Sequence, residues 1–256
     1  MENEEASSVI GNHAAPYINR LALQGALATS SYAVTHPSLP NYLALTGGST
    51  FGIESDCTDC HVGARNLVDE LEAAGISWKA YMQDMPGPCF AGASSGLYAK
   101  KHDPFIYYDD VRLSPKRCAN VVPASELDKD LAAGALPRFA WITPNMCNDM
   151  HDCDVATGDR YLAGLFPRLI AAVGASGAVF LTWDEGASDS GCCKVAAGGR
   201  IVTIAAGGAA RRHARAAGSY DHYSLLRTIE DAWRLPELGY ARCSCTSPMN
   251  ALLRAR

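Results

Sequence analysis

The 256 residues, 48% of them hydrophobic and 19% charged, have the composition of an ordinary folded chain, which excludes intrinsic disorder and collagen-like structure. A formal net charge of −5 gives no sequence-wide attraction to phosphate backbones, and Arg211-Arg212-His213 is too small a cluster for a nucleic-acid tract, so nucleic acid is excluded as the main partner. No apolar run approaches the ~18 to 20 uncharged residues of a membrane span, which excludes a transmembrane segment.

In chain order, Tyr17, Ile18, Leu21 and Ala22 recur at helical spacing, and residues 26–34 read as a strand leading to a short helix that runs toward Gly47. Leu67, Val68 and Leu71 mark another helix, and residues 76–81 a buried strand. The stretch 85–123, rich in Gly, Ser, Pro and Asp, reads as a long irregular excursion of the functional kind. Buried strands are predicted at 139–143, 178–183 and 200–205. Asp159 is placed to cap a helix carrying Leu162, Leu165, Phe166, Leu169 and Ile170, which Pro167 would kink. The last helix follows Asp221, with Leu225, Leu226, Ile229 and Trp233 on one face. Alternating helices and buried strands predict an α/β fold with a mostly parallel sheet, its ligands at the carboxyl ends of the strands, and no linker divides residues 1–256.

Ten cysteines form an even set: Cys57, Cys60, Cys89, Cys118, Cys147, Cys153, Cys192, Cys193, Cys243 and Cys245. That count suits disulfides in an oxidising compartment. A zinc site is the rival, because Cys57-Thr58-Asp59-Cys60 has ligand spacing, although no second pair follows at zinc-ribbon distance. Cys147 and Cys153 flank a polar run and are predicted to pair; Cys243 and Cys245 are read as ties from the tail to something distant.

Chemistry collects where strands should end. Thr182-Trp183-Asp184-Glu185-Gly186 puts two adjacent carboxylates after an apolar run, and such acids can converge on a hard cation. In Thr35-His36-Pro37-Ser38-Leu39-Pro40-Asn41-Tyr42, Pro40 suits the first turn of a helix, which leaves Ser38 at a terminus whose free N–H groups favour anions. A serine there can attack phosphorus, and Asn41, three residues on, shares its face. Alone, Ser38 would read as an ordinary cap and Asp184-Glu185 as a solvated turn. The polar runs containing His151 and His222, also at element ends, make a convergent site the better reading.

Val9-Ile10-Gly11-Asn12, Ala15-Pro16-Tyr17-Ile18-Asn19 and the run from His36 to Leu45 resemble the bacterial phosphoesterase family of secreted acid phosphatases and phosphatidylcholine-type phospholipases C. Glu2-Asn3 opens the likeness ahead of these runs, and Asn148-Asp149-Met150-His151-Asp152, Gly158-Asp159, Thr182-Trp183-Asp184-Glu185 and His222-Tyr223 continue it in order; it is greatest to the short secreted acid phosphatases, including those acting on phosphoinositides. The resemblance implies an alkaline-phosphatase-like three-layer sandwich and a phosphoserine mechanism assisted by one divalent metal ion. Carried over, Glu2, Asn3, Ser38, Asp184 and Glu185 surround the metal, Ser38 is the nucleophile and Asn41 binds phosphate. His151 and His222 lie near the phosphate as candidate acids, not separable here. Lys101-His102-Asp103-Pro104-Phe105 resembles a family segment Lys-His-x-Pro-Phe, so His102 and Lys101 are expected at the substrate, a phosphate ester that includes phosphoinositide or other phospholipid headgroups.

Family members carry an apolar strand directly ahead of the Glu-Asn pair, whereas Glu2 is preceded here by Met1 alone. The expectation is a sheet with an unfilled slot, and a source reading frame that extends upstream through a strand and an export signal, giving a secreted or periplasmic protein. A phosphomonoesterase is the first expectation, a phospholipase C-type diesterase the second, and a catalytically inactive, disulfide-rich binding protein the third.

Overall fold

The computed structural model describes residues 1–255. Helices α1 (Ala6–Val9) and α2 (Pro16–Gln24) lead into strand β1 (Ala26–Tyr32) and helix α3 (Ser38–Gly47); α4 (Leu67–Ala73) precedes β2 (Trp78–Met82). The excursion after β2 is more ordered than its composition suggests. It holds a small hairpin, β3 (Ser94–Ser95) and β4 (Tyr98–Ala99), two 3-10 turns at Lys100–His102 and Pro104–Tyr107, short helices α5 (Asp109–Arg112) and α6 (Pro115–Cys118), and β5 (Val121–Pro123). Then come α7 (Ser125–Ala133), β6 (Phe139–Thr143), α8 (Val155–Val173), β7 (Val179–Thr182), β8 (Arg200–Ala206), β9 (Ala214–Tyr220) and α9 (His222–Trp233).

The strands form two principal sheets, ordered β5-β2-β6 and β7-β8-β1-β9. The first is wholly parallel. In the second, β1 and β9 run parallel and only β8 opposes its neighbours, so the mostly parallel arrangement stands. Strand alternation sorts side chains between two helical layers. Trp78, Ala80 and Met82 of β2 pack with Leu39, Leu43, Leu71 and Leu226 of α3, α4 and α9, while Tyr81 enters the opposite core with Ile18, Leu127, Leu162 and Phe166 of α2, α7 and α8. The result is a three-layer α/β/α sandwich.

Two local expectations change. Helix α8 starts earlier than its apolar pattern suggests: Asp154 is its N-cap, accepting from Thr157 N, and the helix runs through Pro167. Asp159, inside α8 and buried, instead caps the facing helix, its carboxylate accepting from Tyr17 N (3.1 Å) and Ile18 N (2.8 Å). Cysteines pair locally: Cys57–Cys60, Cys89–Cys118, Cys147–Cys153, Cys192–Cys193 and Cys243–Cys245. Cys147–Cys153 is the predicted bridge, and the tail cysteines join each other rather than anything distant. With Cys57 and Cys60 joined, the zinc reading of that pair loses its thiolates.

An unfilled slot separates the sheets. The facing edges of β6 and β7 border a cavity of about 1000 Å³, floored by Leu162, Leu165, Phe166 and Leu169 of α8 and roofed by Leu225, Ile229 and Trp233 of α9. Met1 stands at its mouth and already ladders there: its ammonium donates to Thr182 O (3.1 Å), its carbonyl accepts from Asp184 N (2.9 Å), and Glu2 N donates to Asp149 O (2.8 Å). A chain carrying about six apolar, β-branched residues ahead of Met1 should continue that ladder between β6 and β7. Since each Val or Ile buried is worth about 1.5 to 3 kcal/mol, a scanning-calorimetry midpoint well above that of the 256-residue chain is expected. An unchanged midpoint contradicts the reading of the slot as a strand position.

Candidate active site

The carboxyl ends of β1, β6, β7 and β9 deliver their following residues to one end of the sheets. The turn after β1 is held by Asn41, whose Oδ1 accepts from Val34 N and Thr35 N (both 3.0 Å) and whose Nδ2 donates to Thr35 O (2.7 Å) and Pro37 O (3.1 Å). Both amide protons are used in fixing this turn, which leads into the start of α3. Ser38 is the first residue of that helix, and its hydroxyl caps nothing. It donates instead to Glu2 Oε2 (3.1 Å) and stands 3.5 Å from Glu185 Oε1.

Glu2 is fully buried and takes further contacts from the Tyr42 hydroxyl, on Oε1, and from His102 Nε2, 3.3 Å from Oε2. The other ring nitrogen of His102 lies 3.2 Å from Asp149 Oδ2. Asp149, also buried, accepts from His151 N (2.8 Å) and so fixes the loop closed by Cys147–Cys153. Asp184 sits at the end of β7 with its carboxyl close to that of Glu2. Glu185 Oε2 pairs with His36 Nδ1 at 2.7 Å. Gly186 completes this turn: a Cβ there would fall 2.6 Å from Glu5 Oε2 and 3.0 Å from Gly199, closer than side-chain carbons approach.

These acids are expensive to ionise together. Burial, then the nearby Asp184 and Asp149, push the Glu2 carboxyl well above its ordinary range. Burial raises Asp184 too, and burial with the Asp184 charge pushes Glu185 up to about 7. Burial draws the His102 proton off, and it brings His222 down to about 4. Buried His222 donates through Nε2 to the Asp184 carbonyl, behind the carboxyls rather than among them. His151 stands in front, its Nδ1 2.7 Å from Asp152 Oδ1 and its Nε2 3.1 Å from Lys101 Nζ. Burial opposes the Lys101 charge, but Asp56, 3.0 Å away, outweighs it and holds the ammonium above its ordinary value.

The sequence-derived set therefore comes together in one contact network with Ser38: Glu2, Glu185, Asp184, His102, His151 and Lys101 are joined to it or to one another, and Asn3 joins through its backbone N–H, 3.4 Å from Asp184 Oδ1. Asn41 and His222 stand behind it. Residues missed are Tyr42, His36 and Asp149, all inside the resembling runs, and Asp56, which carries no pattern. A divalent cation fits this chemistry. Glu2, His102 and His151 present ligand atoms within 4.8 Å of one another, and the buried Asp184 Oδ2, Asp149 Oδ2 and His102 Nε2 have no aligned hydrogen-bond partner.

The model of the phosphoesterase family matches residues 3–236. The chain belongs to that family. It is 36% identical over 246 residues to a phosphatidylinositol-3-phosphatase of Mycobacterium tuberculosis, covering 94% of this chain and 77% of the relative. It is 33% identical over 236 residues to an acid phosphatase of Aspergillus fumigatus, covering 87% of this chain but 52% of that longer protein. Among solved structures, an alkaline phosphatase superfamily protein of Vibrio parahaemolyticus matches with a TM-score of 0.64 at 14% identity, over 99% of this chain and 69% of its own. A phosphonate monoester hydrolase of Silicibacter pomeroyi matches at 0.55 and 11% identity, over 98% and 75%. The fold is that of the alkaline phosphatase superfamily, and the chain is a phosphoric-ester hydrolase.

For a carboxyl raised by folding, stability is fully present below its unfolded value and is lost as pH rises through its folded one. Glu185 therefore stabilises the metal-free fold below about 4.5 and ceases to do so through about 7. With chelator present, urea denaturation should give a smaller stability difference between those two pH values for Glu185→Gln than for the parent. Equal differences would mean that Glu185 ionises freely.

Proposed function

We propose that the chain is a secreted phosphomonoesterase that works through a phosphoserine on Ser38. The observation that carries this reading is the Ser38 hydroxyl, freed from capping, bonded to the buried Glu2 carboxylate and flanked by Glu185. Glu2 and Glu185 can draw the proton from Oγ as it attacks phosphorus; the ester P–O bond breaks opposite, and water later cleaves the P–Oγ bond. Glu2, Asp184 and Glu185, with Asn3, His102 and His151 at hand, would hold a divalent cation, which would supply positive charge against the phosphoryl oxygens. Lys101 adds a fixed cation on the side of His151. The departing alkoxide needs a proton, and His151, partly exposed, is the donor in this reading once Lys101 Nζ, 3.1 Å from its Nε2, turns to the phosphoryl oxygens. His222, neutral above about 4 and turned to the Asp184 carbonyl, is a positioning residue in this reading.

The monoester preference is supported by relatives named as phosphatases, and phosphoinositide headgroups enter as candidate substrates through the mycobacterial relative. Five disulfides support an oxidising, extracytoplasmic compartment. No helix among the described residues is long and apolar enough to cross a membrane.

Ser38→Ala should abolish turnover of p-nitrophenyl phosphate with the fold retained, and acid quenching with labelled substrate should mark Ser38 in the parent. Label on a histidine would overturn the nucleophile. Asp184→Asn and Glu185→Gln should each lose bound metal, measured by elemental analysis, together with activity. Full metal content and full rate in either variant would make the pair a turn. Turnover of bis(p-nitrophenyl) phosphate faster than of the monoester would favour the diesterase instead.

A further inference from the structure

Asp56 belongs to the segment between α3 and α4, next to the Cys57–Cys60 bridge, and nothing in the reaction just described uses it. Its two oxygens nevertheless meet the two donors that flank the nucleophile. Oδ1 accepts from Leu39 N at 3.0 Å, the backbone N–H directly after Ser38 in the first turn of α3, and Oδ2 accepts from Lys101 Nζ at 3.0 Å. A phosphoryl group bonded to Ser38 Oγ would bring a non-bridging oxygen to that same N–H, one residue away, and Lys101 is the cation joined to that N–H by the same carboxylate. Carboxylate and phosphoryl group compete for both donors.

We propose that Asp56 is a built-in competitor for the phosphate position: its carboxylate occupies the anion donors beside Ser38 in the free enzyme, substrate must displace it, and the exchange sets specificity. The loop is shaped for the role. Its carboxylate is about a quarter exposed, at 27%, so it can leave into solvent, while the chain around it stays anchored by Tyr107 Oη to Cys57 O (3.0 Å) and Lys100 Nζ to Thr58 O (2.6 Å). Above its second ionisation, at about pH 6, a phosphate monoester is doubly charged, and replacing a singly charged carboxylate by it gains charge on Lys101 and the helix terminus. Replacing it by a singly charged diester gains almost none. Asp56 thereby favours monoesters and also limits how strongly inorganic phosphate, the product, is retained.

This inference rests on Ser38 being the nucleophile, which Ser38→Ala tests separately through turnover. The experiment is phosphate binding, by calorimetry, to the full chain and to its Asp56→Asn and Asp59→Asn variants, with KM for p-nitrophenyl phosphate and its diester measured alongside. Asp59 is exposed in the same loop, so its variant makes the same change in net charge, whereas Asp56→Asn also leaves one acceptor oxygen where two held the two donors. Expected for Asp56→Asn are about tenfold tighter phosphate binding, or about 1.4 kcal/mol, a lower KM for the monoester, and a proportionally larger fall in KM for the diester. Phosphate affinity unchanged or weakened in Asp56→Asn, equal gains in Asp56→Asn and Asp59→Asn, or a fall in kcat with no change in KM would each overturn the proposal. The last result would make Asp56 a positioning residue for Lys101.

Discussion

The burial of Glu2 is the constraint on which the site turns. Its carboxylate accepts from Ser38 and Tyr42, faces His102, and stands beside Asp184 with no exposure to water. An acid so placed is affordable only if it keeps its proton or meets a compensating positive charge. Neighbouring groups are arranged around that choice: Asp149 orients His102 from the far side, His36 pairs with Glu185, and Asp56 pairs with Lys101. The same electrostatic cost would favour a cation at the proposed site.

The fold makes this concentration of charge tolerable. Parallel strands end together, so acids that are far apart in sequence arrive on short, well-packed turns rather than on mobile loops. Asn41 pins the turn before α3, Asp159 ties α8 to α2 through two backbone N–H groups, and the Asp221–Ser224 capping box starts α9 and sets His222 against the Asp184 carbonyl. Glu2 is held differently. Three main-chain bonds at the mouth of the slot between β6 and β7 set its position: Met1 N to Thr182 O, Asp184 N to Met1 O and Glu2 N to Asp149 O.

Much of this was legible in the sequence because the chemistry is local there. Asp184-Glu185 ends an apolar run, Ser38 sits where Pro40 begins a helix, and Cys147 and Cys153 bracket the loop of Asp149 and His151. What was not legible depends on distance. Asp159 looks like the cap of its own helix because a one-dimensional pattern does not distinguish a helix from the one packed on it. Asn41 is read from the sequence as sharing the face of Ser38, and the bonds of its amide with Val34, Thr35 and Pro37 are visible only in three dimensions. His151 and His222 look alike as residues in polar runs, and burial separates them. Asp56 has no motif at all and is found only by asking what else the donors beside Ser38 touch.

The central claim is that the buried carboxyls around Ser38 hold protons in the metal-free chain and exchange them for a cation. Calorimetric titration of the chelated chain with a divalent metal near pH 6, repeated in buffers of different ionisation enthalpy, counts the protons released for each ion bound. The account predicts more than one proton per ion in the parent, and fewer in Glu185→Gln, because that carboxyl, raised to about 7, is one of the donors. Binding with no proton release would contradict it, as would a chain whose carboxyls bind no divalent ion.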